Sequence, residues 1–253
     1  MKKSHLFSII VKDILHDLSE KIGDVREEVE EAVEYSVIPI THYQRRMRKN
    51  SNEFRVWDHA TRELKPIDQR RIEILSKLHP TIEICDWRFL RNRQETLSDG
   101  TRTLSLKYEN DRPYGKVLNH PKSNTIIPWR FANSGDKNGQ YAGCYGRLLK
   151  DGYFDNILTD VNPGKSRIVH PNHPRVVTMR ELARAQGFPD NFRFFGKYVA
   201  RYRMIGNAVP IPLAYSIGVD IRRSYCNSKD KPRRTISEFN DVKVMGEYIS
   251  VEE

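Results

Sequence analysis

The stretch TMRELARAQGFPDNF, residues 178–192, constrains the fold more than any other because it specifies a helix at both ends. Thr178 and Glu181 stand at the S/T-x-x-E spacing of a capping box, in which the hydroxyl accepts from a first-turn amide and the carboxylate reaches back to the cap. Leu182 and Ala185 supply a short apolar face. Gln186 precedes Gly187, which falls where a left-handed residue ends a helix, and Pro189 forbids continuation. Phe188, Phe192, Phe194 and Phe195 follow as apolar anchors. Arg180 and Arg184, one turn apart, share a face. They either tether neighbouring loops through backbone carbonyls or contact nucleic acid, and tethering is the first expectation.

A second punctuated segment follows at RYRMIGNAVPIPLAYSIGVDI, residues 201–221. Gly206 permits a backbone closed to residues with a β-carbon, so a tight Gly206-Asn207 turn is predicted. The Asn207 amide can both donate and accept. Pro210 and Pro212 fall in the first turn of the next helix, where a missing N–H costs nothing. Leu213, Ile217 and Ile221 make a stripe suited to burial, and Ala214 with Gly218 would let a neighbour approach closely. Bare backbone at a helix N-terminus suits a polar small molecule, so the turn is either a ligand turn or a structural one.

Upstream, DVREEVEEAVEY (24–35) reads as a helix with Val25, Val29 and Val33 four apart and Asp24 with Glu27 as a cap pair. HYQRRMRKN (42–50) gathers Arg45, Arg46, Arg48 and Lys49 around Tyr43 and Met47, as a phosphate-contacting segment or an exposed turn. KPIDQRRIEILSKL (65–78) predicts an amphipathic helix burying Ile72, Ile74, Leu75 and Leu78. Asp99-Gly100 is a hairpin signal, and RTLSLKY alternates as a strand does. Residues 109–177 are rich in Gly, Pro, Asn and Asp, yet Trp129, Phe131, Tyr141, Tyr145, Tyr153 and Phe154 recur, which suggests a loop-rich β subdomain rather than a linker. The polar end, NSKDKPRRTISEF onward, reads as a disordered tail with a weak nuclear address.

The 253 residues suffice for one or two domains with a real core, and an apolar content of 38% leaves room for long surface loops. No apolar run approaches the ~20 residues that span a bilayer, and the opening MKKSHLFSIIVKDIL lacks the marks of a signal peptide. Cys85, Cys144 and Cys226 are too few and too scattered for a disulfide framework or a zinc site, and imply a reducing compartment. Forty-three Lys and Arg against 33 Asp and Glu give a formal charge of +10, for which nucleic acid is the first specific partner to consider.

Together the two punctuated stretches resemble the ninth and tenth motifs of the C5-cytosine DNA methyltransferases, carried here by RELARAQGFPDNF and IGNAVPIPLA in the family's order. Upstream, DWRFLRN, LSDGT, TIIPW, YAGCYGRLLKDGYF and RIVHP look like the target-recognition region of the eukaryotic maintenance-type branch. FSIIVKDILHDL is similar to the segment after that branch's eighth motif, so the resemblance runs over nearly residues 6–223. It implies an α/β protein: part of an S-adenosylmethionine-dependent, Rossmann-like methyltransferase fold with a loop-rich β target-recognition domain. The implied divisions are 1–40, following the cofactor and catalytic half; 41–177, target recognition; 178–225, closing helices; and 226–253, a polar tail.

The resemblance also implies roles. Asn207 and Val209 match positions that touch S-adenosylmethionine, while Pro210 starts the helix that docks on the cofactor half. Arg180, Glu181, Arg184, Gln186, Gly187 and Gly206 match structural positions. Arg130, Tyr141, Cys144 and Arg147 fall in the region that reads DNA, with Arg45 and Arg46 contacting its backbone. Arg130, Tyr141 and Cys144 stand where the animal branch has Cys, Trp and Leu around an apolar concavity, which makes this pocket smaller and more polar. Met204 stands where the family has Gln.

The family attacks cytosine with the thiolate of a Pro-Cys dipeptide, and here no cysteine follows a proline. Nor does a Phe-x-Gly-x-Gly turn follow a predicted strand, and Glu109-Asn110 lacks the Val of the family's Glu-Asn-Val. The expected protein is therefore the recognition and closing portion of a nuclear DNA cytosine methyltransferase. It would bind duplex DNA, lack a catalytic residue of its own and need a second half carrying motifs one to eight, either on another chain as a split enzyme or lost from a truncated gene product. The alternative is a non-catalytic DNA-binding module derived from such an enzyme.

Overall fold

The computed structural model describes residues 9–23, 32–48, 54–78, 84–86, 140–142 and 144–227, with side chains described for 9–23, 32–48, 54–73 and 144–226. Its elements in chain order are α1 (Val11–Leu15), β1 (Val33–Glu34), α2 (His42–Met47), β2 (Arg55–Val56), α3 (Pro66–Leu78), β3 (Ile84–Asp86) and β4 (Gln140–Ala142). After a long irregular stretch come α4 (Met179–Ala185), α5 (Tyr198–Asn207) and α6 (Ile211–Asn227).

Among the described residues the strands form two antiparallel pairs, β1 with β2 and β3 with β4, the latter setting Cys85 opposite Tyr141. Val33 lies opposite Val56 and both are buried, while the Tyr35 amide donates to the Phe54 carbonyl at 3.2 Å. The helix expected over 24–35 therefore does not reach its last residues. A β-branched residue on a helical period fits a pleated surface equally well, and tertiary pairing decides. Residues 24–31, including the Asp24–Glu27 cap pair, lie outside the described residues, as do the Asp99-Gly100 turn, the strand over RTLSLKY, Trp129 and Phe131.

Residues 42–47 form a helix rather than an exposed turn. Thr41 accepts from the Gln44 amide while the Gln44 side chain accepts from the amides of Ile40 and Thr41. That capping box was present in the sequence as Thr41-x-x-Gln44. Met47 turns inward, whereas Arg45 stays exposed. α3 spans the expected range with Ile72 buried; the side chains of Ile74, Leu75 and Leu78 lie outside the described set.

The core gathers Val11, Ile14 and Leu15 of α1, Ile72 of α3, Met179 and Leu182 of α4, Ile205 of α5, and Leu148, Val161, Val169 and Val176 from the irregular stretch. That stretch satisfies its backbone through isolated bridges at Arg147–Val169 and Val169–Val176. α1 begins against it: the amides of Val11 and Lys12 donate to the carbonyls of Gly152 and Lys150, both at 2.9 Å. Satisfying those otherwise free N–H groups is what lets so short a helix persist.

α4 carries the expected capping box between Thr178 and Glu181. It ends at Gly187, whose φ of +86° is the left-handed value a helix stop requires. Gly206 behaves otherwise than expected: it is helical, and Gly206 and Asn207 form the last turn of α5 rather than a tight turn. The break falls later, at Ala208–Pro210. By length and composition, Tyr198–Cys226 is apolar enough to cross a membrane, its most apolar 18-residue window having a mean hydropathy of 1.3.

Candidate functional site

The two punctuated stretches meet in space, and buried arginines hold the first in position. Arg184, wholly buried, donates from Nε and Nη2 to Asp190 at 2.9 and 2.6 Å, and from Nη1 to the Ile14 carbonyl and Asp17. Burial opposes its charge, but Asp190 and Asp17 outweigh burial and raise its pKa well above the ordinary value. Arg180 donates to the carbonyls of Trp57, Pro189 and Phe192 at 2.9, 3.0 and 2.6 Å, and to Asp58 at 3.1 Å. These arginines therefore act inside the protein on carbonyls and carboxylates.

Asp58 adopts a φ of +62°, a left-handed conformation that aspartate tolerates. The kink lets its carbonyl accept from the Arg180 amide at 2.8 Å while its carboxylate receives Arg180, Arg201 and the Phe194 amide. Glu181 accepts from the Thr178 amide at 2.7 Å and from both terminal nitrogens of Arg175. Burial alone would raise its pKa; Arg175 overcomes this and holds it below the carboxylate range.

Gln186 joins the stretches. Its amide nitrogen donates to the carbonyls of Ile205 and Ala208 at 3.0 and 3.1 Å, and its own carbonyl accepts from the Ile211 amide at 2.9 Å. The α5–α6 break thus hangs on one side chain and one carbonyl of the α4 terminus. A β-carbon on Gly187 would sit 2.7 Å from Pro212 Cδ, so this glycine serves contact as well as conformation. On Gly206 a β-carbon would lie 2.6 Å from the Thr159 amide nitrogen and 2.7 Å from the Leu158 carbonyl carbon. Glycine is needed there for close backbone approach, the physical reason that replaces the expected special φ.

Asn207 ends α5 and Val209 lies within the break, and both face solvent, Val209 with 57% of its surface exposed. Pro210 precedes α6 and accepts from the Ala214 amide at 2.9 Å. Along α6, Leu213, Ile217 and Ile221 are 51, 49 and 63% exposed, and among the described residues nothing lies within 4 Å of a β-carbon on Gly218. Ile211, Tyr215 and Val219 on the other side are half-buried.

The positions expected to read DNA are dispersed. Arg45 is exposed and donates to the Ile40 carbonyl at 2.8 Å, and Arg46 is half-buried. Tyr141 is described only as backbone in β4, and Arg130 lies outside the described residues. Cys144 is buried in the core. Arg147 spans inward to the carbonyls of His170 and Pro171 at 2.6 and 2.8 Å, with burial lowering its pKa. Sequence reasoning passed over Asp17, Asp58 and Asp190, the counter-ions of the buried arginines. Asp190 could have been paired with Arg184 from their proximity, but nothing local marks Asp17 or Asp58.

The sequence pattern of the family described as C-5 cytosine-specific DNA methylase matches residues 12–223. The chain is 36% identical over 236 residues to DNA (cytosine-5)-methyltransferase 1 of Gallus gallus, covering 85% of this chain and 15% of that protein. It is 34% identical over 236 residues to DNA (cytosine-5)-methyltransferase PliMCI of Paracentrotus lividus, covering 85% and 14%. To DNA (cytosine-5)-methyltransferase 1 of Mus musculus it is 35% identical over 238 residues, again covering 85% and 14%. The chain thus spans about one-seventh of the length of these relatives.

Proposed function

Because this chain belongs to the C-5 cytosine-specific DNA methylase family, we propose that it is the DNA-recognising, site-closing C-terminal portion of a DNA (cytosine-5)-methyltransferase, completed by a chain carrying motifs one to eight. The family uses S-adenosylmethionine, and its members act on DNA. The observation that carries this reading is the uncovered stripe Leu213, Ile217 and Ile221, which begins beside Val209. Burying each such side chain stabilises by about 1.5–3 kcal/mol, so a face of this kind belongs against a neighbour. Asp220, Arg222 and Arg223 favour a protein neighbour over a bilayer.

The residues present fit part of a cofactor site. Asn207 offers an exposed amide and Val209 an exposed apolar surface, on a break that Gln186, Gly187 and Gly206 hold in position. When bound, S-adenosylmethionine supplies the methyl group. In our reading Asn207 hydrogen-bonds its polar part, Val209 packs against it, and Pro210 starts the helix that docks on the partner. The partner supplies the thiolate that attacks cytosine, since Cys85, Cys144 and Cys226 do not follow a proline. Duplex DNA lies along the 41–177 region: Arg45 and Arg46 contact phosphates, Arg130 and Tyr141 reach the bases, and Cys144 with Arg147 support that surface from within. Residues 1–40 lead in from the catalytic half, 178–225 close the cofactor domain, 226–253 form a tail, and the site of action is nuclear.

The test mixes the purified chain with one carrying motifs one to eight and follows methyl transfer from labelled S-adenosylmethionine to duplex DNA. Transfer is expected only in the mixture. There Asn207→Ala weakens cofactor binding by about 1–2 kcal/mol, the scale of one hydrogen bond. Val209→Asp weakens it further, by setting a charge against an apolar wall. Neither change alters DNA binding by the lone chain. Methyl transfer by the lone chain, abolished by a single Cys→Ser change, would defeat the proposal.

A further inference from the structure

Between α4 and α5 the chain runs FRFFGKY, residues 192–198, of which Arg193 to Gly196 line a surface cleft together with Trp57, Asp58 and Arg201, and Lys197 follows next in the chain. Phe194 is buried, but Phe195, expected from sequence to be another anchor, is 69% exposed. The Arg193 guanidinium carbon lies 3.9 Å from the Trp57 ring centroid and 5.6 Å from that of Phe195. The guanidinium thus lies beside two aromatic rings, which offer it no hydrogen-bond acceptor and leave its N–H groups for a ligand. Among the described residues neither the Arg193 nor the Lys197 side chain makes an ion pair, whereas Arg180, Arg184 and Arg201 all do. The one carboxylate of the cleft, Asp58, is already matched by Arg180 and Arg201 at 3.1 and 3.2 Å. Among the described residues the cationic rim therefore goes unanswered.

Three kinds of partner can be weighed against this surface. An acidic peptide answers the cations and leaves the rings wet. An apolar peptide covers the rings but desolvates two cations without counter-ions, which is costly. A nucleic-acid strand carries phosphates and flat apolar bases at one short repeat and uses both. The strand must be unpaired, because the base faces of a duplex are stacked on one another and cannot take up an exposed ring. The geometry points to a binding site for an unpaired nucleic-acid strand, with the Arg193 edge on a phosphate, Lys197 beside it, and Phe195 stacked on a base. The residues offered to the strand, Arg193, Phe195 and Lys197, lie outside the 41–177 region assigned to duplex recognition, although Trp57 and Asp58 of the cleft fall within it, and the site does not depend on the split-enzyme reading.

The experiment uses the intact chain and a fluorescein-labelled oligothymidylate, with binding read by fluorescence anisotropy at increasing salt. Binding is expected at low salt and declines as salt is added. Phe195→Ala weakens it about ten-fold, the scale of one lost stack. Phe195→Tyr restores it, and duplex binding changes by less than about two-fold on the same scale. Arg193→Gln lowers the salt slope by about 0.7, the value for one phosphate contact on a single strand. Should Phe195→Ala lower the thermal midpoint, Lys197→Gln at an exposed position carries the same slope test. The proposal fails if the wild-type chain does not bind oligothymidylate, or if Phe195→Ala leaves binding unchanged or weakens duplex and oligothymidylate equally. It also fails if a polyglutamate peptide displaces the strand as readily as unlabelled oligothymidylate.

Discussion

Replacing Arg184 by methionine keeps much of the volume and removes the charge at the centre of the buried network. Asp17 and Asp190, with side chains 0 and 2% exposed, would lose their shared guanidinium, and the Ile14 carbonyl would lose a donor. Breaking a buried pair by removing one partner costs about 3–5 kcal/mol, because the other charge stays buried. Arg48 still reaches Asp17, and the Tyr35 hydroxyl still donates to Asp190, so the lower end of that range is the expectation. Against a typical stability of about 5–15 kcal/mol, the variant would fold but be much weakened. Equilibrium urea unfolding followed by tryptophan fluorescence measures the loss. Its pH dependence has a definite sign. In the native protein burial pushes Asp190 up, but Arg184 overcomes this and holds it below its ordinary 3.8; that stability is present above 3.8 and is lost as pH falls through the folded value. Without Arg184, burial raises Asp190, so the deficit is largest above its new folded pKa and shrinks once the carboxyl is protonated. The variant should therefore lose less at about pH 5 than at about pH 7.5, and adding Asp190→Asn should recover at least about 1 kcal/mol. A loss below about 1 kcal/mol, or one equal at both pH values, would refute a network held together by charge.

Gly206→Ala places a methyl group 2.6 Å from the Thr159 amide nitrogen; the clash should cost about 1–3 kcal/mol, seen as a lower thermal midpoint. A neutral result would mean that residues 158–159 do not touch α5. Burial pushes the His170 imidazole down to about 3, with Nδ1 accepting from the amides of Asn172 and His173. A base depressed on folding takes up its proton only on unfolding, so stability should fall as pH drops from about 6.5 towards 3, by up to ~1.4 kcal/mol per pH unit. His170→Asn keeps an acceptor for those amides and should flatten that slope in urea titrations. An unchanged slope would exclude His170 as its source.

What was legible in the sequence was local. The α4 capping box and the Gly187 stop involve neighbours in the chain, and cap chemistry of that range can be read from residue types. Arg180 and Arg184 were legible as internal tethers, but Asp17 and Asp58 lie 167 and 122 positions from their arginines, beyond any local pattern. Gly206 was misread because a glycine looks the same in sequence whether backbone conformation or a neighbour's approach demands it. Phe195 resembled its neighbours Phe192 and Phe194 in residue type, and only the path of the chain leaves it outside. The stripe at Leu213, Ile217 and Ile221 was recognisable as apolar at helical spacing and suited to burial, whereas its exposure is seen only in the folded chain.

The span from Asp17 to Arg184 also sets the order of events during synthesis. At a typical ~5–20 residues per second, roughly ten to thirty seconds separate the two from the ribosome, a contact 167 positions long. For all of that time Asp17 and Tyr35 have emerged without Arg184 and Asp190, and Val11, Ile14 and Leu15 have no α4 to pack against. The loop entropy of so distant a closure is met before any stabilisation is returned, so the core forms late and nearly all at once. A nascent chain stalled before residue 178 should accordingly remain protease-sensitive near its N-terminus, with α1 an early target for chaperones.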